Sequence, residues 1–346
     1  MPSRSMNARV VVVTGATAGV GRAVARRFAQ AGASLGLIAR DAAALQEVER
    51  EVAALGGRAF AAPADVADAD AVLAAAERIE ATLGPVDVWV NDAMATVFSR
   101  FADMSPDEFR RVTEVTYLGY VHGTMAALRH MRPRGRGVVV QVGSALAYRG
   151  IPLQSAYCGA KHAIRGFTDA VRSELLHEKS GVRLVMVQLP AMNTPQFAWA
   201  RTHMRRQPRP MGAVYQPEAA AEAVFTAARN RWREYWFGRT TFLTIIADTV
   251  LPGLLDRMLA HTAIEGQETA EPVRSDRKDN LYRPVSGLHR AHGTFGALAR
   301  EHGLLVPGPV ARLGVVALGA LAFLALGLAV RPRLPAGPKL LARERV

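Results

Sequence analysis

The chain is 346 residues long, half of them apolar and 21% charged, a balance that excludes a wholly disordered chain and supplies enough apolar material for one large α/β sheet or two ordinary domains. Its 30 glycines and 19 prolines are scattered rather than periodic, which rules out collagen-like and low-complexity classes. The single cysteine, Cys158, rules out an intramolecular disulfide and any cysteine-rich zinc site. With 43 Lys and Arg against 30 Asp and Glu the formal charge is +13, which favours anionic partners such as a phosphorylated cofactor, anionic lipid or nucleic acid.

Met1 to Arg9 is polar and lacks a charged segment followed by an apolar one, so no secretory signal is expected and the bulk of the protein is expected in the cytoplasm. Short, mostly continuous apolar runs at Arg9–Val13, Ser34–Ala39, Val86–Val90, Gly137–Val142 and Val182–Gln188 predict strands of a parallel sheet covered on both faces. Helical stretches lie between them at Val20–Ala31, Asp41–Leu55, Asp68–Leu83, Ser105–His130 and Ala156–Glu178. Ser105-Pro106-Asp107-Glu108 is a helix start, with Ser as N-cap and Glu108 placed for a capping box. This alternation predicts an α/β fold over residues 8–253: a doubly wound, Rossmann-like, mostly parallel sheet with helices on both faces. Pro190 to Pro217 holds five prolines and reads as an active-site flap rather than a packed element, followed by a helix over Pro217–Arg231 and a strand at Glu234–Phe237.

Residues 254–312 have little periodicity and are expected to form an irregular C-terminal extension wrapped over the catalytic domain. Leu313 to Val330 then runs for eighteen residues without a charge. As a helix it would span roughly 27 Å against a hydrocarbon core of about 30 Å, which predicts a membrane-inserted segment at 313–330 and a membrane-associated protein. The tail 331–346 is basic, and the positive-inside rule would hold it in the cytoplasm, on the same side as the sheet domain, so either the tail crosses despite its charge or the helix bends or lies in the interface. Basic clusters at Arg129–Arg136, Arg201–Arg209 and Arg229–Arg239 come with no recognised nucleic-acid-binding module, so nucleic acid is not expected as a partner. His289 and His292 lack a nearby acidic cluster, and no metal site is expected.

The chemistry concentrates at four places. The first strand ends in Thr14-Gly15-Ala16-Thr17-Ala18-Gly19-Val20-Gly21 and passes straight into a helix. Glycines there allow a tight turn and close approach of a pyrophosphate to the helix N-terminus, so Gly15, Thr17, Ala18, Gly19, Val20 and Gly21 are the expected cofactor cradle. The second strand ends at Arg40, where a guanidinium suits the 2′-phosphate of NADP; Asp41 reads as the N-cap of the next helix. Ser144 closes the strand that starts at Gly137, and Tyr157 follows thirteen residues later, four before Lys161. Four residues apart on a helix, Tyr157 and Lys161 share one face. An ammonium there stabilises the phenolate and brings a poor acid–base group toward its working range.

These motifs, in this order, resemble the short-chain dehydrogenase/reductase family over about Arg9 to Gly238, the branch with TGxxxGxG and YxxxK. The resemblance implies Asp65 (with Val66) near the adenine, Asn91 and Ala93 near the ribose region, and Pro190 and Thr194 near the cofactor's phosphate or carboxamide side. It implies Tyr157 as general acid/base, Lys161 binding the nicotinamide ribose and tuning Tyr157, and Ser144 orienting the substrate oxygen. Dimers or tetramers built on the helices at 105–130 and 156–178 are also implied. Two positions depart from the family pattern: Met94 stands where NNAG has glycine, and Thr116 where the family commonly has the asparagine of its proton relay. A slower or pH-shifted relay through Thr116 is expected.

The resulting expectation is an NADP(H)-dependent oxidoreductase interconverting a carbonyl and an alcohol. Met192, Phe197, Trp199 and Met204 in the flap either line a pocket for a hydrophobic small-molecule substrate or pack the flap onto the sheet, and a hydrophobic substrate is the expectation taken forward. The alternative is a cofactor-binding, membrane-associated sensor or scaffold with little catalysis, which Thr116 and Met94 keep open.

Overall fold

A computed structural model describes residues 9–329. Its centre is an eight-stranded sheet: β1 (Val10–Thr14), β2 (Ser34–Ala39), β3 (Ala59–Pro63), β4 (Val86–Asn91), β5 (Gly137–Ser144), β6 (Val182–Leu189), β7 (Glu234–Phe237) and β8 (Leu305–Pro307). In space the order is β8-β7-β6-β5-β4-β1-β2-β3. Strands β1 to β7 pair in parallel, and only β8 runs antiparallel, with Trp236 opposite Val306. The alternation along β1 explains why the sheet needs cover on both sides. Val11 and Val13 pack into one core with Val24 and Phe28 of α1 (Gly19–Gln30), Val48 of α2 (Ala42–Ala54) and Val224 of α7 (Pro217–Arg229). Val10 and Val12 pack into the other, with Ile79 of α3 (Ala69–Leu83) and Met131 of α5 (Gly119–Met131). The expected doubly wound α/β sheet is therefore what the chain forms.

Local signals act where they stand. Asp41 caps α2, its Oδ1 accepting from Ala44 N–H at 3.0 Å. Ser105 and Glu108 form the reciprocal capping box of α4 (Pro106–Thr113) at 3.2 and 3.0 Å. The long helix expected over 105–130 is instead α4 and α5 joined through a π-helical turn, Glu114–Leu118. Such turns shift the side chains that follow them and occur often beside functional sites.

The segment after β6 is more packed than its proline content predicts. Its aromatic side chains supply the burial that a proline-rich backbone does not favour: Phe197 and Ala200 are buried against Phe98. Short pairings add to this, among them Arg201–Thr202 with Val97–Phe98 and Arg206–Pro208 with Glu268–Pro272. The extension is likewise more regular than its weak periodicity suggests. After α8 (Arg239–Val250) it supplies α9 (Pro252–Gly266), strand Glu268–Pro272 and the edge strand β8.

The last helix, α10 (Gly308–Ala329), starts against the sheet edge. Arg312 donates to Glu234 at 2.5 Å and to the Tyr148 hydroxyl at 2.7 Å, and Ala311 is buried beside Trp236. Among the described residues no helix is long and apolar enough to cross a membrane, so the membrane-inserted segment expected at 313–330 is not supported; Val330 and the tail 331–346 lie outside the described residues.

Candidate active site

The strand order reverses between β4 and β1, and in open α/β sheets ligands bind beyond the carboxyl ends of the strands at such a point. A cavity of about 470 Å³ opens there. Its walls include Gly15 and Thr17 to Val20 of the glycine turn, Arg40, Asp65, Val66, Ala93, Ser144, Tyr157, Lys161, Pro190 and Thr194. The sequence-predicted site is thus largely brought together, with Gly21, Asn91 and Thr116 outside the cavity wall.

Each of those three has a structural task. A Cβ on Gly21 would lie 2.3 Å from the Gly15 carbonyl oxygen, so glycine is required for the turn to fold onto its own helix. Asn91 is fully buried; it accepts from Trp89 Nε1 at 2.8 Å and donates to Gln141 Oε1 at 2.9 Å and Thr124 Oγ1 at 3.2 Å. These bonds turn its amide toward the neighbouring strand and helix. Thr116 is also fully buried; its hydroxyl donates to the Ala95 carbonyl at 2.7 Å and accepts from Ala95 N–H at 2.9 Å. Both of its bonds hold the loop after β4.

Two features of the turn were not anticipated. Gly15 has φ +73°, and a Cβ there would come within 2.9 Å of Ala93 Cα, so the loop after β4 packs directly on the turn. Thr14 Oγ1 seals that contact by accepting from the backbone N–H groups of Asp92 and Ala93 at 3.1 and 3.2 Å. Met94 does not adopt a left-handed backbone, so the missing family glycine leaves no strain behind.

Around the proposed chemical centre, Ser144 at the end of β5 shares the cavity wall with Tyr157 and Lys161 of α6 (Ser155–His177). Burial raises the Tyr157 pKa above its ordinary value, and the nearby Ser144 hydroxyl opposes that. Lys161 is 3% exposed, with Nζ 5.6 Å from the centre of the Tyr157 ring. Its ammonium donates to the Val142 carbonyl at 2.8 Å and to the Tyr120 hydroxyl at 3.0 Å. Burial lowers the Lys161 pKa, and the Asp92 carboxylate works against that loss. Burial raises the Asp92 carboxyl in turn, opposed by Lys161 and by the Gly21 N–H. Tyr120 and Asp92 carried no signal beyond being polar residues close to recognised motifs.

At the other end of the cavity Asp65 forms an ion pair with Arg111, and its Oδ1 accepts from Ala67 N–H at 3.0 Å. Arg40 donates to the carbonyls of Asn280 and Leu281 at 2.6 and 3.3 Å. Arg22 lies beside the glycines, on the first turn of α1. Its guanidinium is buried and bonded to Glu51 at 2.7 Å, the Thr17 carbonyl at 3.2 Å and the His289 carbonyl at 2.6 Å. The cavity wall also carries the apolar side chains of Ile151, Met192, Phe197, Trp199, Met258 and Leu259, interspersed with polar ones such as Arg149, Gln154 and Arg209. Met204 is not part of that wall and packs instead on the Phe98–Phe197 cluster.

A family model described as short chain dehydrogenase matches residues 9–205, more than half of the chain. The chain belongs to the short-chain dehydrogenase family. It is 31% identical over 288 residues to the uncharacterized oxidoreductase YxnA of Bacillus subtilis (strain 168), covering 83% of this chain and 81% of that one. It is 37% identical over 268 residues to dehydrogenase/reductase SDR family member 7B of Mus musculus, covering 73% and 81%. Among solved structures it is similar to a metagenomic short-chain oxidoreductase in complex with NADP, with TM-score 0.56, 28% identity and coverage of 65% and 92%. It is also similar to an alcohol dehydrogenase from the archaeon Thermococcus sibiricus complexed with 5-hydroxy-NADP, with TM-score 0.57, 27% identity and coverage of 66% and 95%. This short-chain dehydrogenase therefore carries its family's fold, and the solved structures cover about two thirds of it.

Proposed function

We propose that this oxidoreductase interconverts a carbonyl and an alcohol with NADP(H), using Tyr157 as the proton donor and acceptor and taking a hydrophobic substrate. The observation that carries this reading is the meeting of Ser144, Tyr157 and Lys161 in one cavity with the glycine turn and Arg40. The residues present suit a dinucleotide: the turn at Gly15 and Gly21 leaves no room for side chains, and the strand end that would hold ribose hydroxyls carries Arg40 rather than a carboxylate. Asp41, one residue on, is occupied as a helix cap, which further favours a 2′-phosphate at Arg40. Two relatives of known structure are described as bound to NADP or 5-hydroxy-NADP.

The cofactor, when bound, supplies or accepts the hydride. Ser144 would hold the substrate oxygen, Tyr157 would give that oxygen its proton or take it back, and the Lys161 ammonium would favour the phenolate between turnovers. The apolar wall from Met192 to Leu259 would exclude water from the substrate. Replacing Tyr157 with Phe tests the reading: turnover of a panel of hydrophobic aldehydes and ketones with NADPH should vanish while NADPH still binds. Full activity in that variant would overturn the mechanism, and NADPH binding by the wild type without turnover of any carbonyl would favour a sensor or scaffold.

A further inference from the structure

The family match ends at residue 205, yet part of the chain far beyond it bonds to the elements at the cofactor end of the cavity and places Asn280 in the cavity wall. Residues 280–295 are tied to each of the three elements that meet there. At the end of β2, Arg40 donates to the carbonyls of Asn280 and Leu281. At the glycine turn, the carbonyl of Arg290 accepts from Gly19 N–H at 3.0 Å, and the carbonyl of His289 accepts from Arg22 at 2.6 Å. After β6, the Asn193 carbonyl accepts from Gly293 N–H at 3.0 Å, and Asn193 Oδ1 accepts from Phe295 N–H at 2.9 Å. The segment is anchored as well as attached. Leu281 is fully buried, and the His289 ring sits edge-on to Trp199 at 5.3 Å with Nε2 3.2 Å from Asp41 Oδ2.

From this geometry we infer that residues 280–295 form the outer wall of the cofactor site, set Arg40 for a 2′-phosphate and retain the bound dinucleotide. This rests on the NADP(H) reading above. Two carbonyls acting on the two terminal nitrogens of Arg40 fix the plane of its guanidinium, so little side-chain freedom remains to be lost when a phosphate arrives. The Gly19 N–H is committed to Arg290, so a phosphate at the turn must be held by neighbouring donors while the segment is in place. The bonds through Asn193 join the segment to the stretch that holds Thr194, so both sides of the cleft must part together for the cofactor to leave.

The test uses the full-length protein, hydrogen exchange across residues 280–295 with and without NADPH, and release of NADPH chased with NADP⁺. NADPH is expected to slow exchange at Gly293 and Phe295. His289→Ala, which removes the anchor on Trp199, is expected to release NADPH about three- to tenfold faster, the equivalent of one lost aromatic contact. Unchanged exchange, faster exchange that marks displacement of the segment, or a folded His289→Ala that releases NADPH at the wild-type rate would each overturn the inference. If His289→Ala does not fold, wild-type exchange decides alone. Arg40→Ala separates the two proposals: weakened NADPH binding with unchanged NADH binding supports the cofactor reading whatever the segment does. A wild type that binds no NADPH overturns both.

Discussion

Tyr120 holds Lys161 by its phenol oxygen, which accepts from the ammonium at 3.0 Å while its own proton goes to the Val142 carbonyl at 2.8 Å. The buried ammonium thus rests on a side chain from the helix that follows the π turn, four residues after Thr116. Tyr120→Phe leaves Lys161 with only the Val142 carbonyl among these partners. We expect kcat for carbonyl reduction to fall about three- to thirtyfold, the equivalent of losing a hydrogen bond to a charged group or less. KM for NADPH should move little and the pH profile should change shape. A fall in stability with an unchanged pH profile would mark Tyr120 as packing alone.

Asp92 gives a prediction with a definite sign. A carboxylate near Lys161 and Tyr157 favours the protonated form of both, and the Asp92 charge accordingly raises the pKa of each against or alongside the effect of burial. Asp92→Asn should therefore let both groups lose protons at lower pH. Both limbs of the kcat–pH profile should move to lower pH, as measured across a buffer series at saturating cofactor. Limbs that stay in place, or move upward, would show that the Asp92 charge does not reach the centre.

Thr116 is expected to matter for stability more than for catalysis. Thr116→Val keeps the shape but leaves the Ala95 N–H and carbonyl unpaired in a buried place. The cost should be about 1–3 kcal/mol, read from urea unfolding, with kcat changed less than a relay residue would require. Thr116→Asn, which restores the family residue, should not raise kcat if the hydroxyl serves only the loop.

The glycine turn offers a sterically simple case. In Gly21→Ala the new methyl meets the Gly15 carbonyl oxygen at 2.3 Å, a backbone atom that cannot swing away. Unfolding free energy and NADPH affinity should fall together, and a variant that keeps both would contradict the close packing of the turn on its helix.

Much of the frame was legible because parallel strands buried on both faces leave continuous apolar runs, as in Val10–Thr14 and Gly137–Ser144. Strand β3, Ala-Phe-Ala-Ala-Pro, escaped the strand pattern because alanine carries little strand preference and its edge position is only partly buried. The cavity wall was legible from spacing around Tyr157 and the glycines. The buried bonds of Asn91 were not legible, because a residue type at a motif position says nothing about which way its amide turns. The extension was opaque for a different reason: it is held by backbone carbonyls and single anchors such as Leu281, and neither leaves a periodic trace in a sequence.

The antiparallel strand β8 has a consequence for synthesis. The sheet's edge at β7 presents Tyr235, Trp236 and Phe237, all buried once Leu305–Pro307 pairs with them. Until the ribosome has released residue 307, that aromatic edge offers unpaired backbone groups to any other strand, the setting in which nascent chains associate. A product shortened by some fifty residues would retain the proposed catalytic side chains and still carry this open edge. It should collect in aggregates rather than accumulate as a working enzyme.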